Sequence, residues 1–133
     1  MNKLLELIAE NEADTMPATE EQIDKAELEL GLTFSTEYRT YLQNIGVISF
    51  KTVETYGLGV PETSFLNIVN ALHDFKAFKN FPSSLIPLAD IGDGHYYMYD
   101  NSSQKVLTIA LPDLGTKIIT AGLEQFLCEL VFG

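Results

Sequence analysis

A chain of 133 residues, 46% of them hydrophobic and including eight Phe and six Tyr, carries core material for one ordinary domain and lacks the length for two. Nineteen acidic against eight basic side chains give a net charge of −11 and a pI near 4.4. That charge excludes nucleic acid and anionic lipid as partners, because the phosphate attraction behind such binding would be repulsion here. A single cysteine, Cys128, excludes an internal disulfide and fits a reducing compartment.

The N-terminal stretch Met1–Glu10 places Leu4, Leu7 and Ile8 at helical spacing and predicts a short amphipathic helix. Glu6 and Glu10 interrupt it, so it lacks the apolar core of a signal peptide. No run approaches the ~20 apolar residues that span a bilayer. These features predict a cytoplasmic protein. A loop over Asn11–Ala18, containing Pro17, leads to a capping box in which Thr19 is followed by Gln22. Glu20 and Glu21 complement the positive helix end, Ile23, Ala26 and Leu30 share one face, and Gly31 supplies a left-handed cap. Ser35 then caps a third helix that turns Tyr38, Tyr41, Leu42 and Ile45 inward and is ended by Gly46.

Strand signals follow. Val47–Tyr56 is rich in β-branched and aromatic residues and is stopped by Gly57, Gly59 and Pro61. Ser64–Phe75 reads as a helix with Phe65, Ile68, Val69, Leu72 and Phe75 on one stripe. Leu85–Ala89 is a short strand, Gly92-Asp93-Gly94 a turn, and His95–Asp100 a strand. Asn101–Gln104 is a hairpin loop into Lys105–Leu111, and Lys117–Thr120 adds a further short strand. Leu123, Phe126, Leu127 and Leu130 define a closing helix. The whole is an α+β layout in which helices bracket a meandering antiparallel sheet, as one domain over residues 1–133.

Signals for catalysis are thin. Cys128 stands beside Leu127 without a neighbouring base, so it reads as a packing residue. His73 and His95 belong to no metal or triad spacing. Asp90, Asp93 and Asp100 lack the alternating ladder and closing Glu of a calcium loop, and Asp93 between two glycines reads as a turn residue. No enzyme activity, metal or cofactor is predicted. Alternation in the strand from His95 puts Tyr97 and Tyr99 on one face, with Tyr96, Met98 and Asp100 on the other. Tyrosine beside carboxylate suits protein recognition, and it equally suits simple cover for the sheet.

The order of these signals resembles the SUKH superfamily, which includes a fungal regulator of cell-wall glucan synthesis and many bacterial immunity proteins. The similarity begins at Thr19-Glu20-Glu21-Gln22-Ile23 and runs through Glu27-Leu28-Glu29-Leu30-Gly31 to Leu32-Thr33-Phe34-Ser35-Thr36-Glu37-Tyr38 and Tyr41-Leu42. It continues at Tyr56-Gly57-Leu58, at the stretch from Leu85 through Gly92-Asp93-Gly94 to Tyr99-Asp100, and at Leu123-Glu124-Gln125-Phe126-Leu127. Three positions depart from the family pattern. Ser35 stands where a proline is usual, Asn44-Ile45-Gly46 replaces an Asn-Gly pair, and Gly122-Leu123 replaces Ser-Phe.

The resemblance implies a strongly bent antiparallel sheet flanked by four helices, no known catalytic residue, and an antitoxin that binds and blocks a cognate bacterial toxin, frequently a nuclease. The charge agrees independently, since an acidic inhibitor is steered onto the basic surface of a nuclease. The residues expected to bind the partner are Glu54, Tyr56, Asp90, Asp93, Tyr97 and Asp100, as aromatic anchors and acceptors for Lys and Arg. A regulatory scaffold binding a native cellular protein or peptide is the alternative.

Overall fold

Local chemistry sets the helical first third. In the computed structural model, which describes residues 1–133, helix α1 (Asn2–Asn11) buries Leu4. Helix α2 (Glu20–Leu30) opens on the expected box: the Gln22 amide donates to Thr19 Oγ1 at 3.1 Å, and the Thr19 amide donates to Gln22 Oε1 at 2.8 Å. Gly31 closes it with φ of 67°. Helix α3 (Thr36–Asn44) is capped by Ser35 and stops at Ile45, one residue before Gly46. Arg39 of α3 clamps α2 by donating to Asp24 Oδ1 at 2.8 Å and Glu27 Oε1 at 3.1 Å.

The strands form two antiparallel sheets. One comprises β1 (Asp14–Thr15), β2 (Ile48–Phe50) and β3 (Val53–Glu54); the other is the meander β4 (Leu85–Gly92), β5 (His95–Asp100), β6 (Lys105–Ala110) and β7 (Gly115–Ile119). The Tyr56 amide donates to the Leu88 carbonyl at 2.9 Å and couples the sheets. Two expectations change here. Val47–Tyr56 is a hairpin rather than one strand, because Lys51 takes φ of 54° and reverses the chain. The loop before Pro17 also contains β1, a strand with no apolar pattern of its own that exists because β2 offers it partners.

Helix α4 (Ile68–Phe75) starts four residues later than the apolar stripe suggested, since Asn67 Oδ1 accepts from the Val69 amide at 2.9 Å and fixes the start there. Phe65 is thereby left outside the helix, 65% exposed. Helix α5 (Leu123–Phe132) closes the fold, burying Leu123, Phe126, Leu127 and Val131. There are thus five helices, one more than the resemblance implied, around two sheets instead of one. Consecutive residues of β5 locate the flanking helices. Tyr96 meets Phe75 of α4 edge-on at 4.8 Å and Tyr97 meets Phe126 of α5 at 4.8 Å, so the two helices cover opposite faces.

Two crossings of bare backbone fix the entrance to the second half of the chain. A Cβ on Gly57 would lie 1.5 Å from the Gly46 carbonyl oxygen, and one on Gly46 would lie 1.8 Å from that of Met16. Only glycine permits this approach. The Tyr56-Gly57-Leu58 signature is therefore a packing requirement at its centre, and it fixes where Tyr56 emerges.

Candidate functional site

The segment from Glu54 to Tyr56 leaves β3 and runs beneath the loop that precedes α4. Two adjacent hollows open there, sharing Tyr56 and Phe65. The larger, of about 450 Å³, is lined chiefly by Tyr56, Phe65, Phe75, Phe78, Tyr96 and Leu111, with Asp74 at its edge. The smaller, of about 220 Å³, carries Glu54 and Asp90 beside Thr52 and Leu66. No Lys, Arg or His lines either hollow.

Tyr56 holds the centre. Its side chain is only 7% exposed, and its carbonyl is engaged by the Tyr41 hydroxyl at 2.9 Å. Burial, then Tyr96, then Asp90 push its phenol up to about 12, so it stays protonated and able to donate. Burial and Asp90 push Tyr96 up as well. Asp90 uses Oδ1 to accept from the Gly92 amide at 2.7 Å, and its side chain remains exposed. Asp93 sits at the tip of the β4–β5 turn with φ of 54°, flanked by Gly92 and Gly94, both also at positive φ.

The six expected residues do not form one patch. Glu54, Tyr56 and Asp90 come together, and Asp93 follows along the same turn. Tyr97 points to the other face and packs on Phe126. Asp100 lies at the far end of β5 from that turn, roughly 17 Å away at the rise of an extended strand, and organises the next loop. There it accepts from the Ser102 amide at 2.9 Å and the Ser103 amide at 3.4 Å. Burial opposes its ionisation, and the hydrogen bonds from Ser102, Ser84 and Ser103 outweigh that, holding the carboxyl below its usual range. Sequence reasoning passed over Phe65, Asp74, Phe78 and Tyr96. The break of the α4 stripe at Asn67, a strong capping residue, was the signal that Phe65 lies outside the helix.

Other chemistry is sparse. No three His, Cys, Asp or Glu side chains converge to hold a metal. Burial, then Glu124, raise the Cys128 thiol, which suits a packing role. A polar cleft between α2 and α4, containing His73, is bridged by Lys25 and Glu62 at 2.6 Å. No helix is long and apolar enough to cross a membrane.

Comparison with known proteins agrees with this fold. Residues 20–127 match the SUKH_6 family, described as SMI1-KNR4 cell-wall. A crystal structure of a protein from Pseudomonas syringae pv. tomato superposes with a TM-score of 0.69 at 17% identity, covering 93% of this chain and 90% of that one. At that identity the likeness bears on the fold alone. No curated protein matches the chain.

Proposed function

The chain belongs to the SUKH_6 family of SMI1-KNR4 cell-wall proteins, and from that premise we propose that it is a non-enzymatic immunity protein acting in the cytoplasm against a basic toxin domain. Members of the family are typically immunity proteins and are generally non-catalytic. The observation that carries the reading to this chain is the groove around Tyr56, an aromatic floor whose only charged lining groups are carboxylates. Such a surface offers apolar area for affinity and negative potential for steering a cationic protein. Glu54, Tyr56, Asp90 and Asp93 form the contact surface, while Tyr97, packed on Phe126, and Asp100, at the Ser102 turn, lie outside it.

The test uses the tagged chain as bait in its native cell, with mass spectrometry of what co-purifies. The expected result is one stoichiometric partner with a basic C-terminal domain that kills cells when expressed alone and is harmless when the chain is co-expressed. Recovery of housekeeping proteins alone, with no protection against candidate toxins, would overturn the proposal in favour of a regulatory scaffold.

A further inference from the structure

The acidic residues of this protein are not all alike. Arg39 pairs with Glu20, Asp24 and Glu27 of α2, and Lys25 pairs with Glu29 and with Glu62 of the loop before α4. The amino terminus pairs with Glu124. Glu54, Asp74 and Asp90, the three acids of the groove, belong to none of these ion pairs, and no basic side chain lines either hollow. Their charge is uncompensated where the largest concentration of aromatic surface is open. Phe65, 65% exposed, stands between the hollows as a shared wall, and Phe78 is 36% exposed at the rim.

Tyr56 supplies the second, independent observation. It is more than nine-tenths buried and borders both hollows. The chain engages its carbonyl and its amide, the latter toward Leu88, yet provides the hydroxyl with no hydrogen-bond partner. Its ring is held in the packing while its hydroxyl, unpaired within the chain and not itself enclosed, is a donor available to an incoming group.

We propose that the groove recognises one segment of a protein partner by an apolar side chain and an adjacent Lys or Arg, one on each side of Phe65. This rests on the reading that this face binds protein, and it names what is bound. The larger hollow takes the apolar group against Phe75, Phe78 and Tyr96. The smaller takes the cation between Glu54 and Asp90, where the free Oδ2 of Asp90 accepts while Oδ1 stays on Gly92. The rings of Tyr56 and Phe65 lie between and add a cation–π contribution. Because the hollows share two residues, one short segment can supply both groups.

The test is an amide-shift titration of the full chain with capped tetrapeptides. The probe is acetyl-Gly-Phe-Arg-Gly-amide, against versions with Ala for Phe and Glu for Arg. The first should shift the amides of Tyr56, Phe65, Asp90 and Tyr96, and each replacement should weaken binding roughly tenfold. Equal shifts from all three peptides, or shifts confined to other surfaces, would overturn the proposal. Phe65→Ala and Asp90→Asn should abolish the response without moving the thermal midpoint; unchanged response in both variants counts against it. The peptide comparison needs no variant, so a misfolded one leaves the test intact. If the variants still capture the same toxin, the groove assignment fails and the immunity reading survives. If the peptides bind as expected and no toxin exists, the reverse holds.

Discussion

Tyr38 and Tyr41 lie one helical turn apart on α3, are both fully buried, and differ only in what their hydroxyls meet. Tyr41 donates to the Tyr56 carbonyl at 2.9 Å, so Thr55 must donate to Tyr41 across their 2.8 Å contact while accepting from the Ile48 amide at 2.9 Å. The Tyr38 hydroxyl has no partner, although its ring stacks on Tyr99 at 5.4 Å and touches Phe34 at 5.3 Å. Burial pushes both phenols up, so neither ionises in the working range. Tyr41→Phe leaves a buried hydroxyl and a buried carbonyl unsatisfied and should destabilise by about 1–3 kcal/mol. Tyr38→Phe keeps every ring contact and removes a polar atom with nothing to bond, so it should stabilise by up to about 1 kcal/mol. For 133 residues the unfolding entropy is about 0.28 kcal/mol/K, and each kcal/mol moves Tm by about 3.6 °C. Thermal melts followed by circular dichroism should therefore show Tyr41→Phe about 4–11 °C below the parent and Tyr38→Phe level with it or up to about 4 °C above. Equal losses in the two variants would refute the reasoning, since they would mean that the hydroxyl partners are not what separates the residues.

Three further outcomes follow from particular contacts. Gly57→Ala should yield no folded protein, because its Cβ meets the Gly46 carbonyl at 1.5 Å, while Gly31→Ala, at φ of 67° with open space around it, should cost only about 1 kcal/mol; soluble yield and melting temperature separate the two. Ser35→Pro, which installs the family's usual residue, should lower Tm by about 4–7 °C rather than raise it. It removes the amide donating to Asn101 Oδ1 at 2.7 Å, the hydroxyl capping Tyr38 and the 2.6 Å contact with Tyr99, and together these exceed the ~0.4–1 kcal/mol gained from proline. Glu124 accepts from the Leu4 amide at 3.1 Å and pairs with the amino terminus at 3.0 Å, fastening α1 to α5. Burial opposes its ionisation but these contacts outweigh it and lower its pKa from 4.5. A depressed carboxyl stabilises fully above its unfolded pKa and loses that stabilisation as pH falls through the folded one. The Tm difference between the parent and Glu124→Gln should therefore be widest near neutrality and close as the pH falls below about 4.

The helical third was legible because its information is local. Thr19 with Gln22, Ser35 before Tyr38, and Gly31 at the end each satisfy backbone groups within a few residues, so their meaning survives without tertiary context. The turn at Gly92-Asp93-Gly94 and the strand His95–Asp100 were legible for the same reason, through backbone conformations few residues adopt and a period of two. Composition and charge set the expected sign of the proposed partner before any geometry was known. Illegible were β1, which exists only through pairing with β2, and the hairpin at Lys51, a residue with no turn preference of its own. The groove belongs with these. Its walls come from β3, the loop before α4, α4 itself, β5 and Pro112, segments whose approach is set by long-range packing. Sequence could name Glu54, Tyr56 and Asp90 as suitable chemistry and could not separate them from Tyr97 and Asp100, because alternation says which residues share a face and not which face a helix will cover. Packing α5 on Tyr97 and α4 beside Tyr96 made that choice, leaving Glu54, Asp74 and Asp90 outside the ion pairs and beside the exposed rings of Phe65 and Phe78.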